Sequence, residues 1–409
     1  MTIARVLGLL TIFGFVLAAV PKPAPADDTP APAGNTYIAR DHSRKQIYHS
    51  PQTPGYTCWV GAWAMPDESL MICFTQATGP LEGRPTMPAE LKARWNWPPA
   101  GQPNFDFTGL DLHNVYMRSS DEGKTWQQTG AELFHTPGGQ MSQGGPQIAL
   151  PDGAILRAAF GYHLPLDPDV PKTGFLQRST DGGQTWGDRQ VVLDADECTY
   201  RITRLRRLRD GRMIALGGIA SAESSSVTQE ELSAMWRPLF MVSEDEGKSW
   251  SPPLEIAGED ERGTWGGEEW DVAELDNGDL LAVFRRFDPK DRTKQARWQG
   301  ILQKQDDSWS VERLTRSVLP HSGHPELLAT REGPVLHIAT NGTHWTKDGG
   351  ETWNELKIQG VQSTFGSHYY PHSLQIADGT IYVFAHTGSH DPYGKDQRVM
   401  MDKFRLTEP

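Results

Sequence analysis

Cysteine is scarce in this chain. Three residues, Cys58, Cys73 and Cys198, occur in 409, and so small and odd a number excludes a disulfide framework. Cys58 and Cys73 fall within apolar, strand-like runs, which gives them a packing role. Neither a C-x-x-C nor an H-E-x-x-H pattern is present, so nothing calls for a transition metal, and no cofactor is implied. Positive charge is also short: 39 Lys and Arg stand against 52 Asp and Glu, a formal net charge of −13. A chain so acidic lacks the basic patch that a nucleic-acid partner requires. An anionic ligand would need a local cluster of Arg, Lys or His. After residue 20 no apolar run is long enough to span a bilayer. Long helical periodicity is missing too, with Thr228–Met235 the one short exception.

The beginning of the chain has a different character. Arg5 precedes the apolar run Val6–Val20, and Ala24-Pro25-Ala26 follows as a small-residue cleavage signal. This pattern predicts a secretory signal peptide over residues 1–26 and a Pro/Ala-rich flexible leader over residues 27–35. A single domain over residues 36–409 would then be secreted or periplasmic, with no stable membrane span after cleavage.

Within that domain one short pattern returns four times: SSDEGKTW at Ser119–Trp126, STDGGQTW at Ser179–Trp186, SEDEGKSW at Ser243–Trp250 and TKDGGETW at Thr346–Trp353. Recurrence over tens of residues marks a repeat architecture. The Asp residues, Asp121, Asp181, Asp245 and Asp348, are separated by 60, 64 and 103 positions. The last gap spans two repeats, and QDDSWS at Gln305–Ser310 stands where a decayed copy belongs. Each copy suits a tight turn between strands. The Asp accepts bonds from nearby backbone N–H groups, the Gly takes positive φ, and the Trp wedges between neighbouring strands. Four equivalent copies point to turn locks rather than to unique chemistry.

A second repeat interleaves with the first. AWAMPDESLMICF, IALPDGAILRAAF, RLRDGRMIALGG, AELDNGDLLAVF, LATREGPVLHIAT and QIADGTIYVFAH each read apolar run, turn, apolar run. Their turns centre on Asp67, Asp152, Asp210, Asn277, Glu332 and Asp378, which are hairpin signals. Six units of about four strands predict an all-β, six-bladed β-propeller of four-stranded antiparallel blades. In that topology both turn families lie on one face. The opposite face collects the starts of the inner strands and three long insertions, Gln76–Asn114, Gly217–Pro238 and Ala257–Glu268. The first insertion carries Trp95 and Trp97, aromatics suited either to stacking on sugar rings or to folding the loop on itself.

Counting back eight or nine residues from each hairpin turn gives Cys58/Trp59, Gln143/Gly144, Arg201/Ile202, Glu268/Glu269, Gly323/His324 and Tyr369/Tyr370. Counting forward eight gives Thr75, Phe160, Gly218, Arg285, Thr340 and His386. A single rule thus gathers Arg201, Glu269, Arg285, His324, Tyr370 and His386 at one end of the central channel.

The Ser-Asp-Gly-Trp turn resembles the Asp-box of sialidases (neuraminidases), which are six-bladed propellers. EEWDVAELDNGDLLAVFRR is similar to the sialidase stretch N-E-x-x-V-V-E-L-x-D-G-x-x-x-x-x-x-R, and YYPHSLQIADGTIYVF to Y-S-x-L-x-x-L-x-D-G-x-I. The resemblance implies Tyr370 as nucleophile, Glu269 as its acidic partner and Arg285 as an arginine that grips a substrate carboxylate. The register rule adds Arg201, His324 and His386, and the first insertion Trp95 and Trp97, as candidate substrate-binding residues; no metal is expected, and the resemblance implies a carbohydrate partner, an acidic glycan. A neutral Tyr avoids the repulsion that an anionic nucleophile would meet at an anomeric carbon bearing a carboxylate. The chain departs from the family where Cys58-Trp59-Val60 replaces R-I-P and where His324 stands instead of an arginine. The family's acid/base Asp has Glu82 and Asp106 as its nearest counterparts. Three functions stay open: a secreted sialidase-like glycoside hydrolase, a uronate-specific polysaccharide lyase using residues such as His163, His324, His368, His372 or His386, and a glycan-binding propeller without turnover.

Overall fold

A computed structural model of the chain describes residues 36–408 apart from residues 81 and 362 and the segments 96–105, 135–145, 161–172, 195–197, 221–234, 257–264, 289–290, 306–307, 321–322 and 389–395. The expected signal peptide and leader lie outside the described residues. Contacts divide the chain into Met1–Thr36 and Tyr37–Pro409, and the fold is that of the second unit.

Six small sheets follow one another, as the repeats predict. Blade one is Tyr56–Ala64, Leu70–Thr78, Asp111–Ser119 and Gln127–Phe134; blade two is Gln147–Ala149, Ile155–Phe160 and Gly174–Ser179. In blade two an isolated bridge from Leu176 to Gln190 stands in for the fourth strand. Blade three is Thr199–Arg207, Met213–Ala220, Arg237–Ser243 and Leu254–Glu255; blade four is Trp265–Glu274, Leu280–Asp288, Asp291–Gln305 and Ser308–Arg316. Blade five is Glu326–Ala329, Val335–Ile338, His344–Thr346 and Asn354–Glu355. Blade six takes Tyr369–Gln375, Thr380–His386 and Arg398–Thr407 from the end of the chain and its fourth strand, Ile38–His49, from the beginning. The count of five Asp-box turns for six blades is explained by this closure, because the outer strand of blade six needs no hairpin. Asp402 fixes the closure, accepting from Arg44 Nε at 2.7 Å and lying 3.0 Å from His42 Nε2.

The hairpin turns are built as their residues dictate. Asp67, Asp152, Asp210, Asn277 and Asp378 each accept the backbone N–H two residues on, at 2.8–3.1 Å. Apolar side chains then pack between blades. Leu156 and Leu176 of blade two meet Ile202 and Ala215 of blade three. Ile214 and Phe240 of blade three meet Trp270 and Phe284 of blade four. Each fully buried Leu or Phe contributes about 1.5–3 kcal/mol relative to exposure, and the ring of interfaces makes the blades interdependent. Cys58 and Cys73 are fully buried free thiols within this packing, and burial pushes both thiol pKa values up.

The four Asp-boxes are one lock used four times. Asp181 accepts from Ser179 Oγ at 2.7 Å, Thr185 N at 2.9 Å and Thr185 Oγ1 at 2.5 Å, while Ser179 Oγ accepts from Gly183 N at 2.8 Å. Asp121, Asp245 and Asp348 repeat the pattern. The box glycine also sets each turn against the preceding blade. A Cβ on Gly123 would lie 2.7 Å from Met401 Sδ of blade six, and one on Gly247 would lie 2.7 Å from Leu156 Cδ2 of blade two. The tryptophans wedge there as well: Trp126 meets Phe384 of blade six edge-on at 5.6 Å, and Trp186 meets Tyr116 of blade one at 5.6 Å. In blade four the decayed copy forms the hairpin from Gln305 to Ser308, and Trp309 keeps the wedge, edge-on to Phe240 at 5.4 Å.

The Thr185 hydroxyl and N–H and the Ser179 hydroxyl hold the exposed Asp181 carboxyl down at about 2. A depressed carboxylate stabilises the fold above its ordinary value near 3.9, and that contribution fades as pH falls towards 2. Asp181→Ala should therefore lower Tm by roughly 2 °C at neutral pH, and the difference from wild type should shrink between pH 5 and pH 2. Differential scanning calorimetry across that range checks it. An undiminished difference at pH 2 would contradict the lock.

Candidate functional site at the end of the central channel

The upper ends of the inner strands are irregular. The register between first and second strands shifts after Cys58 in blade one, before Gly217 in blade three, after Trp265 in blade four and after Tyr369 in blade six. Such bulges re-aim side chains at functional rims. Two of them hold a bulky residue in the left-handed region, Trp59 at φ 53° and Tyr370 at φ 51°. Surrounding structure must overcome roughly 1–3 kcal/mol of strain at each. Both rings belong to the same apolar patch with Tyr56, Cys58, Phe107, Leu110 and Leu112. The first insertion thus contributes Phe107 and Leu110 to the packing around Trp59 and Tyr370.

At the centre Tyr370 Oη donates to Glu269 Oε1 at 3.0 Å. The other Glu269 oxygen is ion-paired with Arg285 Nη1. Gln295 Oε1 accepts from Arg285 Nε at 2.8 Å and steadies that guanidinium. The Tyr370 ring lies nearly parallel to His386, 5.9 Å between centroids at 15°. His324 stands on another side at 6.3 Å and 53°. Tyr369 also stacks on His386, at 6.1 Å. Arg297, paired directly opposite Arg285 on the third strand of blade four, is fully buried and feels the charges of Glu269, Arg285 and Tyr370.

The electrostatics follow from burial and neighbours. Burial pushes the Glu269 carboxyl up most, but the charges of Arg285 and His324 and the hydrogen bonds of Arg285 and Tyr370 together outweigh it and hold the carboxyl at about 2. Burial and the repulsion of Arg204 drive His324 down to about 3, so its imidazole is neutral at any working pH. Burial likewise lowers Arg297, to about 9, with Glu269 offsetting part of the cost. A buried guanidinium that remains so penalised favours the arrival of an anion.

Below this cluster the axis is filled by charge. Asp271 accepts from Arg206 Nη2 at 2.6 Å, from Leu327 N at 2.8 Å and from Val272 N at 2.9 Å. Glu326 Oε2 lies 3.1 Å from Arg206 Nη2 and 3.3 Å from Arg204 Nη2, and Glu326 Oε1 accepts from Ser373 N at 2.6 Å. Arg204 also touches His372, Pro371 O at 3.1 Å and His324 Nδ1 at 3.2 Å. Inner strands of blades three to six are tied together by these groups.

Five of the six residues gathered by the register rule therefore meet: Glu269, Arg285, His324, Tyr370 and His386. Arg201 instead turns its guanidinium to the face of Trp236, 5.5 Å from the ring centroid. Trp95 ends a seven-residue helix, Ala89–Trp95; its side chain and the whole of Trp97 lie outside the described residues, as do Gln143, Gly144 and His163. Asp106 is no acid/base candidate. It is buried, accepts from Met87 N at 2.8 Å and Thr108 N at 3.0 Å, and lies 3.6 Å from Lys92 Nζ. Burial pushes it up, the Thr108 and Met87 bonds outweigh that, and its pKa is lowered; it anchors the insertion. Glu82 is exposed. His368 is half-buried and lowered by burial and by Arg44. The Asp-box carboxylates belong to turns at the other end of the blades.

The register rule missed Arg204 and Arg297. A signal for the first was present: six residues before the turns at Asp210, Asn277, Glu332 and Asp378 stand Arg204, Asp271, Glu326 and His372, the axial set. Arg297 sits on a third strand, and only the pairing of Arg285 with Arg297 reveals it.

The chain matches no family model and no curated protein. Solved structures similar to it include an α-L-arabinofuranosidase of Fusarium graminearum, with TM-score 0.56, 12% identity and coverage of 89% of this chain and 97% of that one. An α-L-arabinanase of Penicillium chrysogenum has TM-score 0.53, 16% identity and coverage of 91% and 98%. A sialidase of Streptococcus pneumoniae has TM-score 0.55, 10% identity and coverage of 88% and 70%. These likenesses establish the fold.

Removing Arg285 strips Glu269 of its main counter-charge. Arg285→Met should cost about 3 kcal/mol, and Glu269→Gln, which leaves Arg285 and the buried Arg297 without their carboxylate, should cost a similar amount. A depressed Glu269 stabilises the fold above its ordinary value near 4.3, and this is lost as pH falls towards 2. Tm measured against pH for wild type and Glu269→Gln should therefore converge in acid. Curves for wild type and Glu269→Gln that stay equally far apart down to pH 2 would contradict the charge assignment.

Proposed function

We propose that the protein is a secreted or periplasmic glycosidase of the sialidase type, acting on a terminal acidic sugar whose anomeric carbon carries a carboxylate. The observation that carries this reading is the contact of Tyr370 Oη with Glu269 Oε1 at 3.0 Å, on a carboxylate that Arg285 also holds. The names of similar folds, an arabinofuranosidase, an arabinanase and a sialidase, support glycoside chemistry. The arginines support an acidic rather than a neutral sugar.

In this reading Tyr370 Oη attacks the anomeric carbon as the bond to the leaving oxygen breaks; its phenolic proton passes to Glu269, and the leaving oxygen takes its proton from solvent water and departs as an alcohol. Water then displaces the tyrosine and restores the enzyme. A phenol is uncharged and so approaches a carboxylate-bearing carbon without repulsion. Held at about 2 by Arg285, Glu269 is a weak base in the free protein. The substrate carboxylate would share the Arg285 guanidinium, loosen its hold on Glu269 and raise the proton affinity of Glu269 as Tyr370 must lose its proton. Arg297, behind Arg285, adds a second positive charge for the same anion. His324, neutral beside Tyr370, is also the feature that favours a lyase, in which a proton next to a uronate carboxylate would be removed and a C=C bond formed.

A screen of the protein against sialosides and uronate-containing glycans tests this directly. On an active sialoside, Tyr370→Phe, Glu269→Gln and the double variant should each lose kcat by a similar factor, on the order of 10³, because coupled catalytic groups are non-additive. Arg285→Lys should chiefly raise KM, since the planar fork is lost while the charge is kept. Additive losses for the Tyr and Glu changes would sink the paired mechanism. Activity persisting in Tyr370→Phe but lost in His324→Ala, with an ultraviolet-absorbing product, would establish the lyase instead.

A further inference from the structure

We infer that Arg204, an inner-strand residue of blade three, is a positioning residue that holds Tyr370 in its working pose from across the channel. The inference rests on the reading of Tyr370 as the working group of the site. Tyr370 sits in a left-handed conformation, φ 51°, inside the bulge where the register shifts between Tyr369 and His372. Something must hold that peptide in place. Arg204 Nη2 donates to the carbonyl of Pro371 at 3.1 Å, the residue that follows Tyr370. Arg204 Nη1 meets the His372 ring, one residue further on. The same guanidinium lies 3.2 Å from His324 Nδ1, and the His324 ring flanks Tyr370. One planar group thus constrains the backbone after Tyr370 and one neighbour of its ring.

Arg204 is itself fixed from behind. Glu326 Oε2 lies 3.3 Å from Nη2, and Glu326 is held by Ser373 N at 2.6 Å and Ser373 Oγ at 2.7 Å. With its side chain only 4% exposed, Arg204 is not placed to touch a sugar. It acts through Tyr370 and His324. Nδ1 of His324 also lies 2.8 Å from the Pro325 carbonyl, and Nε2 is buried with no hydrogen-bond partner among the described residues. A lysine would keep the positive charge near Glu326, but its single ammonium cannot reach Pro371, His372 and His324 together.

The test reads Tyr370 in the free protein, so it does not depend on knowing the substrate. Protein labelled with carbon-13 at tyrosine Cζ gives signals from ten tyrosines, and Tyr370→Phe identifies one of them. In Arg204→Lys the Tyr370 signal should move, because the phenol loses its alignment with Glu269. In Arg206→Lys, which disturbs the same charge network without touching Pro371 or His324, Tm should fall but the Tyr370 signal should stay. His324→Asn keeps every network charge and cuts only the imidazole contact, so the same signal should move by less. On an active glycoside, Arg204→Lys should lose kcat about 100-fold with KM nearly unchanged. An unmoved Tyr370 signal in either folded variant, Arg204→Lys or His324→Asn, overturns the proposal, as does an equal movement in Arg206→Lys. Should the wild type hydrolyse no glycoside, the glycosidase reading fails while the Tyr370 signal still decides whether Arg204 positions it.

Discussion

Two arginines on one strand, Arg204 and Arg206, hold the axis of this propeller. Their partners, Asp271, Glu326, Pro371 and His372, come from the inner strands of blades four, five and six. The two positive and two negative charges balance, so the channel can be filled without an uncompensated ion. Such a network is weak evidence for net stability, because desolvation offsets much of the attraction, but breaking one member leaves a buried charge and costs several kcal/mol. It acts as a register device. Each inner strand must arrive with its sixth residue before the turn at the same height, or a charge is left without its partner. The apolar layers between blades supply the bulk of the burial, and the axis decides how the blades are aligned.

The candidate site stands on that alignment. Above the last balanced charges the inner strands bulge, and the side chains they re-aim are Glu269 and Tyr370, with His324 and Arg285 beside them. Regular strands would put alternate side chains into the interfaces between blades. The bulges turn a tyrosine and a glutamate from blades two apart towards each other, which only a narrow central channel permits. Cation content then rises from the axis to the site: Glu269 faces Arg285 and Arg297, and the burial cost on Arg297 is only partly offset. An anionic sugar group would relieve that cost, and the relief is a source of affinity that a neutral sugar lacks.

Most of the architecture was legible in the sequence, because the propeller is written as two interleaved turn patterns whose residues have local reasons to be there. The Asp-box needs Ser or Thr, Asp and Gly at fixed spacing, and the hairpins need Asx and Gly. Counting from those turns brought Glu269, Arg285, His324, Tyr370 and His386 to one place, since strand length from turn to channel is nearly constant. The count also named Arg201, whose guanidinium lies over the face of Trp236. It missed Arg297, which lies on a strand that no turn count addresses. Asp106 looked like a free carboxylate and proved to be an anchor, a distinction that depends on which N–H groups reach it. The strand Ile38–His49 carries no turn motif because it closes the ring from the other end of the chain, so nothing local marks it as part of blade six.

The central claim is that Tyr370 forms a covalent bond to an acidic sugar while Glu269 takes its proton. Sialosyl and uronosyl fluorides carrying a second fluorine next to the anomeric carbon slow the release step and let such an intermediate accumulate. Intact-mass spectrometry of the protein after exposure to these compounds, followed by peptide mapping, measures it directly. The account predicts a single added sialosyl group, located on the peptide that contains Tyr370 and absent in Tyr370→Phe. An adduct on Glu269 or on any other residue, or turnover with no adduct and with release of an unsaturated sugar, would contradict it.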